Sequence, residues 1–130
     1  MDPLTYRPRI VRRGLTYSFI NIPPSSTTVP KPHILFLHGF LSGSADWRHQ
    51  ITYFSGKGYE VFVPDLLDYG GSSKPSDTAL YLYKGKDMAA DLIEILDAEG
   101  IMGKLLGVGH DCGSFLLSRM ANYHPDRFLK

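Results

Sequence analysis

Apolar residues follow two patterns along the chain, one typical of strands and one typical of helices. Short unbroken apolar runs occur at Ile34–Leu37, Val61–Val63 and Leu105–Val108. Such runs are expected for strands of a parallel sheet that is covered on both faces. Each run is followed by a turn with Gly or Asp and then by a segment of helical period. This order predicts an α/β fold, a mostly parallel sheet with flanking helices.

Three amphipathic segments predict the helices. The first is expected to begin with Ser44 or Asp46 as its N-cap, because both residues accept hydrogen bonds from free backbone N–H groups. The second is expected over Lys86–Glu99, with Gly100 as its C-cap. The third is expected over Cys112–Tyr123, ahead of a proline that cannot continue it.

The first part of the chain has a different pattern. Apolar and polar residues alternate between residues 15 and 19, which predicts a half-buried antiparallel strand. Residues 23–32 contain four prolines among several Ser and Thr residues, so they are expected to form an exposed connection. We therefore expect residues 1–30 to form an N-terminal strand and connection, and residues 31–130 to form the α/β part.

Composition and charge narrow the function classes. The apolar share of 43% is enough for a packed core, and the formal charge of +1 gives no electrostatic reason to expect nucleic acid or an anionic membrane surface as a partner. Cys112 is the only cysteine, which excludes an internal disulfide and is typical of a reducing compartment. No secretory signal or apolar stretch of about 20 residues is visible. The sequence predicts a cytoplasmic protein with no membrane span.

The sequence GHDCG at residues 109–113 directly follows one apolar run and directly precedes a predicted helix. In this setting a G-x-nucleophile-x-G motif forms a tight turn that exposes its central residue. Asp111 occupies the central position, where the helix N-terminus favours an anion. The carboxylate is therefore a candidate nucleophile for attack at carbon. A purely structural alternative is that Asp111 is only the N-cap of the helix.

A second motif, His38-Gly39-Phe40, directly follows the run Ile34–Leu37. Together with GHDCG, DWRHQ at 46–50, PDLLDYGGSSKP at 64–75 and ANYHPDRF at 121–128, it makes the chain similar to the amino-terminal half of epoxide hydrolases, especially those of fungi. The resemblance runs from about residue 31 to the end. It implies the first half of an α/β-hydrolase fold.

The resemblance also implies a mechanism. Asp111 would attack an epoxide carbon to form an alkyl-enzyme ester, which water would then hydrolyse. The substrate would be a small apolar epoxide, and no cofactor or metal is implied. Backbone N–H groups of Phe40 and Cys112 would form the oxyanion hole for the second step. Supporting positions would be the motif residues His38, Gly39, Gly109, His110 and Gly113, with Trp47 as a possible pocket wall.

Three positions depart from the family pattern. Cys112 stands where epoxide hydrolases and haloalkane dehalogenases usually have Trp. A backbone donor survives this change, whereas a dehalogenase would lose an indole N–H that holds halide, so dehalogenation is the less favoured alternative. Leu41 follows HGF where proline is usual, and DYGGSS replaces the usual RGYG pattern. The thiol of Cys112 is interpreted as inert, with a reactive thiol as the alternative.

In enzymes of this family, the remaining catalytic groups are expected further along the chain than the position that corresponds to Lys130. The family order places an acid and a histidine after later strands, and the resemblance also implies a cap with two tyrosines. His33, His49 and His124 are too dispersed to predict a metal site. We therefore expect this chain to lack a general base and to be inactive alone. Two hypotheses remain: an epoxide hydrolase of which this is one half, and a catalytically dead fragment that binds another chain, or itself, through an exposed sheet edge.

Overall fold

The computed structural model describes residues 5–23, 31–75 and 77–129, and within them the chain forms one five-stranded sheet. The strands lie in the order β1-β2-β4-β3-β5. Strand β3 is parallel to both β4 and β5, whereas β2 is antiparallel to β1 and β4. The predicted α/β class is confirmed, with a mixed sheet. The strands are β1 Arg7–Ile10, β2 Thr16–Ile22, β3 His33–Leu37, β4 Val61–Pro64 and β5 Leu105–Gly109.

Three α-helices connect and cover these strands: α1 Arg48–Gly56, α2 Gly85–Ala98 and α3 Cys112–Tyr123. The bounds of α3 agree with the sequence prediction, and α2 begins and ends one residue earlier than predicted. Gly100 follows the end of α2 with a positive φ of 78°, the left-handed conformation that glycine adopts without steric cost.

The predicted N-cap of α1 is wrong. Ser44–Trp47 form a 3-10 turn before the helix, and neither Ser44 nor Asp46 caps it through its side chain. The backbone N–H of Ser44 instead donates to the carboxylate of Asp65 at 2.9 Å. The Oγ of Ser42 donates to the Asp46 carboxylate. The sequence pattern could not show this, because Asp65 belongs to a different loop.

The N-terminal part joins the same sheet as the rest of the chain. Strand β1, which the alternation did not predict, forms a hairpin with β2. The expected half-buried strand is wrong in degree, because Tyr17, Ser18, Phe19 and Ile20 of β2 are all buried. Most of the predicted connection, residues 24–30, lies outside the described residues.

Two apolar cores, one on each face of the sheet, explain the burial of β2. Tyr17 and Phe19 belong to the core that α2 and α3 cover, and Ile20 and Ile22 belong to the core beside α1. Alternate residues of a strand point to opposite faces, so a strand between two cores is buried along its length.

Strand β5 is the last strand of the sheet and is incompletely covered. Its first residue, Leu105, is fully buried, but Leu106 and Val108 are 36% and 38% exposed. The expectation that every apolar run is covered on both faces therefore does not hold for β5. Within the described residues, β5 lies at the edge of the sheet and pairs as a strand only with β3. The carboxyl ends of β3, β4 and β5 meet at one end of the sheet.

Candidate active site

Asp111 lies at the apex of a sharp turn between β5 and α3. Its backbone has φ 55° and ψ −122°, a conformation that a residue with a side chain adopts only under strain. The flanking glycines make the turn possible by close approach. A Cβ on Gly109 would lie 2.8 Å from the Cα of Ser114, and one on Gly113 would lie 2.2 Å from the carbonyl oxygen of Leu37. The sequence GHDCG therefore forms a strand-to-helix elbow with Asp111 exposed.

The carboxylate of Asp111 accepts hydrogen bonds from two backbone N–H groups. Phe40 N donates to Oδ2 at 3.0 Å, and Cys112 N donates as well. The bond from Phe40 is the main cause that lowers the pKa of Asp111 below its usual value, followed by the bonds from Cys112. The side chain makes no capping bond to helix α3. By position, Asp111 is the N-cap residue of α3.

His38 and Gly39 bring the loop after β3 against the elbow. His38 is buried, and its Nε2 accepts from the backbone N–H of Leu66 at 2.9 Å while its Nδ1 lies 3.0 Å from the carbonyl oxygen of Gly39. Both ring nitrogens are therefore engaged, with the proton on Nδ1. A Cβ on Gly39 would lie 2.7 Å from the Cβ of Asp111. Only glycine allows the two loops to come this close.

The loop that begins at Gly39 is tied to the turn after β4. Leu41 has a positive φ of 56°, and its N–H donates to the hydroxyl oxygen of Tyr69 at 3.2 Å. The buried carboxylate of Asp65 accepts from Ser44 N at 2.9 Å and from Gly71 N at 3.4 Å. The predicted set of site residues did not include Asp65 or Tyr69. The sequence feature that could have identified these two residues is the segment PDLLDYGG, which directly follows the apolar run Val61–Val63.

The thiol of Cys112 lies beside the carboxylate, on the exposed first residue of α3. Partial desolvation raises the pKa of this thiol first, and the hydrogen bond and negative charge of Asp111 raise it further. The thiol therefore stays protonated at neutral pH. The protonated form is the less reactive form of a thiol, and the inert role of Cys112 stays a prediction.

Two small cavities flank the elbow. One of about 260 Å³ is lined by His38, Gly39, Trp47 and His110, among others, so Trp47 forms part of a cavity wall. The other, of about 270 Å³, lies on the side of Cys112 and has a largely apolar lining that includes Met88, Phe115 and Leu116.

The scattered histidines do not meet at the elbow. His33 pairs with Glu60 at 3.0 Å, at the amino end of β3. His124 follows the end of α3. Among residues 5–23, 31–75 and 77–129, no three His, Cys, Asp or Glu side chains come together in a way that could hold a metal ion.

Comparison with known protein families identifies the family of the chain. Residues 32–130 match the family described as the alpha/beta hydrolase fold. The chain belongs to this family. Within this stretch, Asp111 lies at the strand-to-helix elbow, and the HG loop packs beside it.

Individual relatives narrow the resemblance. An epoxide hydrolase of Caballeronia sordidicola is 41% identical over 97 residues, which cover 75% of this chain and 29% of that protein. The epoxide hydrolase srdG of Neurospora crassa is 35% identical over 117 residues, covering 87% of this chain and 33% of that protein. The chain therefore spans about a third of the length of these curated relatives.

Solved structures give the same result. A mutant epoxide hydrolase from Vigna radiata superimposes with a TM-score of 0.84 at 31% identity, covering 98% of this chain and 37% of that one. Epoxide hydrolase A from Mycobacterium thermoresistibile gives a TM-score of 0.81 at 31% identity, covering 95% and 36%. The chain is thus an α/β-hydrolase that resembles epoxide hydrolases in sequence and in fold. In the described part of the chain, every helix is too short or too polar to cross a membrane.

Proposed function

We propose that the chain carries the nucleophile half of an epoxide hydrolase, with Asp111 as the nucleophile. The single observation that supports this most directly is the hydrogen bond of 3.0 Å from Phe40 N to Asp111 Oδ2, at the apex of a strained elbow. The bond stabilises the ionised carboxylate, which is the form that attacks carbon. The similarity to epoxide hydrolases from bacteria, fungi and plants supports the same substrate class.

The proposed reaction has two steps. In the first, an Asp111 oxygen forms a bond to an epoxide carbon, the ring C–O bond breaks, and the ring oxygen takes a proton from solvent or from an acid. In the second, water adds to the ester carbonyl, and the resulting oxyanion lies between the N–H groups of Phe40 and Cys112. Collapse of this intermediate releases a diol and regenerates the carboxylate.

The second step needs a base to activate water, and neither His38 nor the thiol of Cys112 suits this role. His38 is buried with both ring nitrogens engaged, so it brings no free nitrogen to the carboxylate. The thiol of Cys112 is held protonated, which excludes it as a base at neutral pH. We therefore expect the ester to form slowly on this chain and to accumulate, with no diol above background.

Covalent capture on the chain itself tests this proposal. The chain is incubated with styrene oxide at mildly acidic pH, where solvent protonates the opening ring, and its intact mass is measured. An increase by one styrene oxide, located at Asp111 by peptide fragmentation, is expected. If diol forms instead, the same incubation in heavy-oxygen water is expected to place label in the Asp111 carboxylate.

Matched variants make the result specific. Asp111→Asn is expected to abolish capture, whereas Asp126→Asn, which changes an exposed carboxylate outside the elbow, is expected to leave it unchanged. Cys112→Ala is expected to leave capture at Asp111 intact, because the backbone N–H remains. Alkylation found only on Cys112, or unaffected by Asp111→Asn, would contradict the proposed nucleophile.

The exposed edge of β5 favours a second candidate function, a binding module without catalysis. Leu106 and Val108 on this strand are 36% and 38% exposed, and an apolar strand edge is a template for pairing with another strand. Under this proposal the chain self-associates or binds a partner strand, and styrene oxide capture at Asp111 fails while the association persists.

A further inference from the structure

The loop that carries Phe40 has little side-chain packing to hold it. The side chains of Phe40 and Leu41 are 64% and 82% exposed, so neither fixes the loop by burial. Leu41 also has a φ of 56°, which is unfavourable for a residue with a branched aliphatic side chain. A loop of this kind keeps its shape only if its backbone groups are bound elsewhere.

Three backbone N–H groups of the loop are bound, each to a different place. Phe40 N donates to Asp111 Oδ2 at 3.0 Å, Leu41 N to the hydroxyl of Tyr69 at 3.2 Å, and Ser44 N to Asp65 Oδ1 at 2.9 Å. The contact with Tyr69 is adjacent in sequence to the contact with Asp111. It therefore fixes the peptide plane next to the Phe40 N–H more directly than Asp65, which binds the loop three residues later.

Tyr69 is itself held in place, which allows it to act as a support. Its ring meets the ring of His38 edge to face, with centroids 5.0 Å apart and planes at 80°. Its backbone N–H donates to the carbonyl of Leu66 at 3.0 Å, and its carbonyl accepts from Ser72 N at 3.1 Å. His38 in turn accepts from Leu66 N. The ring and backbone of Tyr69 are thus held by the turn after β4, and its hydroxyl reaches the Phe40 loop through the contact with Leu41.

We propose that Tyr69 is a positioning residue: its hydroxyl holds the Leu41 peptide so that the N–H of Phe40 points at the Asp111 carboxylate. This inference rests on the proposed role of Asp111 as nucleophile. Under this proposal, the turn after β4 helps to hold the loop that carries Phe40. The N–H of Leu41 is required for the contact, so the residue at position 41 cannot be proline while Tyr69 plays this role.

The test removes the hydroxyl and keeps the ring. Tyr69→Phe is compared with Tyr83→Phe, which removes a hydroxyl that donates to Asp68 at 2.5 Å and lies 3.2 Å from the carbonyl oxygen of Pro75. Amide hydrogen exchange is read by mass spectrometry with residue-level fragmentation, which works whatever the oligomeric state. Loss of one hydrogen bond is expected to speed exchange at Phe40 and Leu41 roughly three- to tenfold in Tyr69→Phe alone.

A second readout separates positioning from a merely structural role. Coupling of Asp111 to an amine by carbodiimide, followed against pH, reports the protonation of its carboxyl group. Because the Phe40 N–H is the main cause that lowers the pKa of Asp111, Tyr69→Phe is expected to raise that pKa, and Tyr83→Phe is expected to leave it unchanged. Neither readout depends on epoxide chemistry. The role of Tyr69 can therefore fail its test while Asp111 captures styrene oxide, and it can pass its test while capture fails.

A second pair of variants covers the case in which Tyr69→Phe perturbs the fold. Leu41→Gly keeps the N–H and tolerates a positive φ, so wild-type exchange at Phe40 is expected. Leu41→Pro removes the N–H and fixes φ near −65°, so the rise in the pKa of Asp111 is expected to recur. Wild-type exchange and wild-type Asp111 titration in Tyr69→Phe overturn the inference. Faster exchange throughout the chain, rather than at residues 40 and 41, also overturns it, in favour of a general stabilising role.

Discussion

Gly113 provides the sharpest test of how the elbow is built. A Cβ at this position would lie 2.2 Å from the carbonyl oxygen of Leu37 and 2.5 Å from that of His38. Both oxygens belong to the backbone at the end of β3, so no rotation of a side chain can relieve the contact. Gly113→Ala therefore forces α3 and β3 apart by about 1 Å if the contact is to reach ordinary van der Waals distance.

The expected loss of stability is large for a single methyl group. Overpacking in a close-packed region typically costs about 1–3 kcal/mol, and because backbone lies on both sides of the contact, we expect Gly113→Ala to cost about 3 kcal/mol. For a chain of this length each kcal/mol lowers Tm by about 4 °C, so a decrease of about 12 °C is expected. Domain stabilities are only about 5–15 kcal/mol, which makes this a substantial fraction of the total.

Urea unfolding followed through the fluorescence of Trp47, the only tryptophan, measures the effect at one fixed protein concentration. Trp47 packs against Phe36 in the core beside α1, with ring centroids 4.9 Å apart, so its signal reports the folded sheet. Gly103→Ala is the control, because a Cβ there would meet no atom within 4 Å. Equal stability of Gly113→Ala and Gly103→Ala would refute the close approach of the elbow to β3.

Two further predictions concern the thiol and the sheet edge. Alkylation of Cys112 by iodoacetamide at pH 8 is expected to be slower than alkylation of an ordinary thiol. Asp111→Asn is expected to speed this reaction, because the charge and hydrogen bond of Asp111 help to raise the pKa of the Cys112 thiol. An alkylation rate that Asp111→Asn leaves unchanged would contradict this effect of Asp111. The chain is expected to elute as an oligomer in size-exclusion chromatography, and Leu106→Lys, which places a charge on β5, is expected to shift it toward the monomer. A monodisperse wild-type monomer would exclude association through β5.

The parts of the fold that sequence could predict depend on local patterns. The apolar runs of β3, β4 and β5 lie within the observed strands, and α3 was predicted to the residue, because a glycine-bounded turn marks its start and a proline lies just beyond its end. Strand β1 was not predicted. Its sequence RPRI does not alternate, and it becomes a strand only through pairing with β2.

The elbow could be predicted from five consecutive residues, but the loop that meets it could not be predicted in full. His38-Gly39-Phe40 identified the loop, whereas the contacts that hold it come from Asp65 and Tyr69, more than twenty residues later. These contacts depend on where β4 ends relative to β3, which is a property of the sheet. The same reasoning explains the wrong N-cap of α1, since the N–H of Ser44 finds its acceptor in Asp65.

The order of the strands has a consequence for how the site forms during folding. Strand β3 pairs with β4 and also with β5, whose residue Leu105 lies opposite His33 across 72 positions of sequence. Such distant pairings are slow, because a long chain loop must close before the contact contributes to stability. Phe40 and Asp111 come together through this pairing, so the anion-binding contact between them belongs to the late stage of folding. During synthesis on the ribosome, the HG loop emerges before the elbow, so the contact between Phe40 and Asp111 can form only after β5 has emerged.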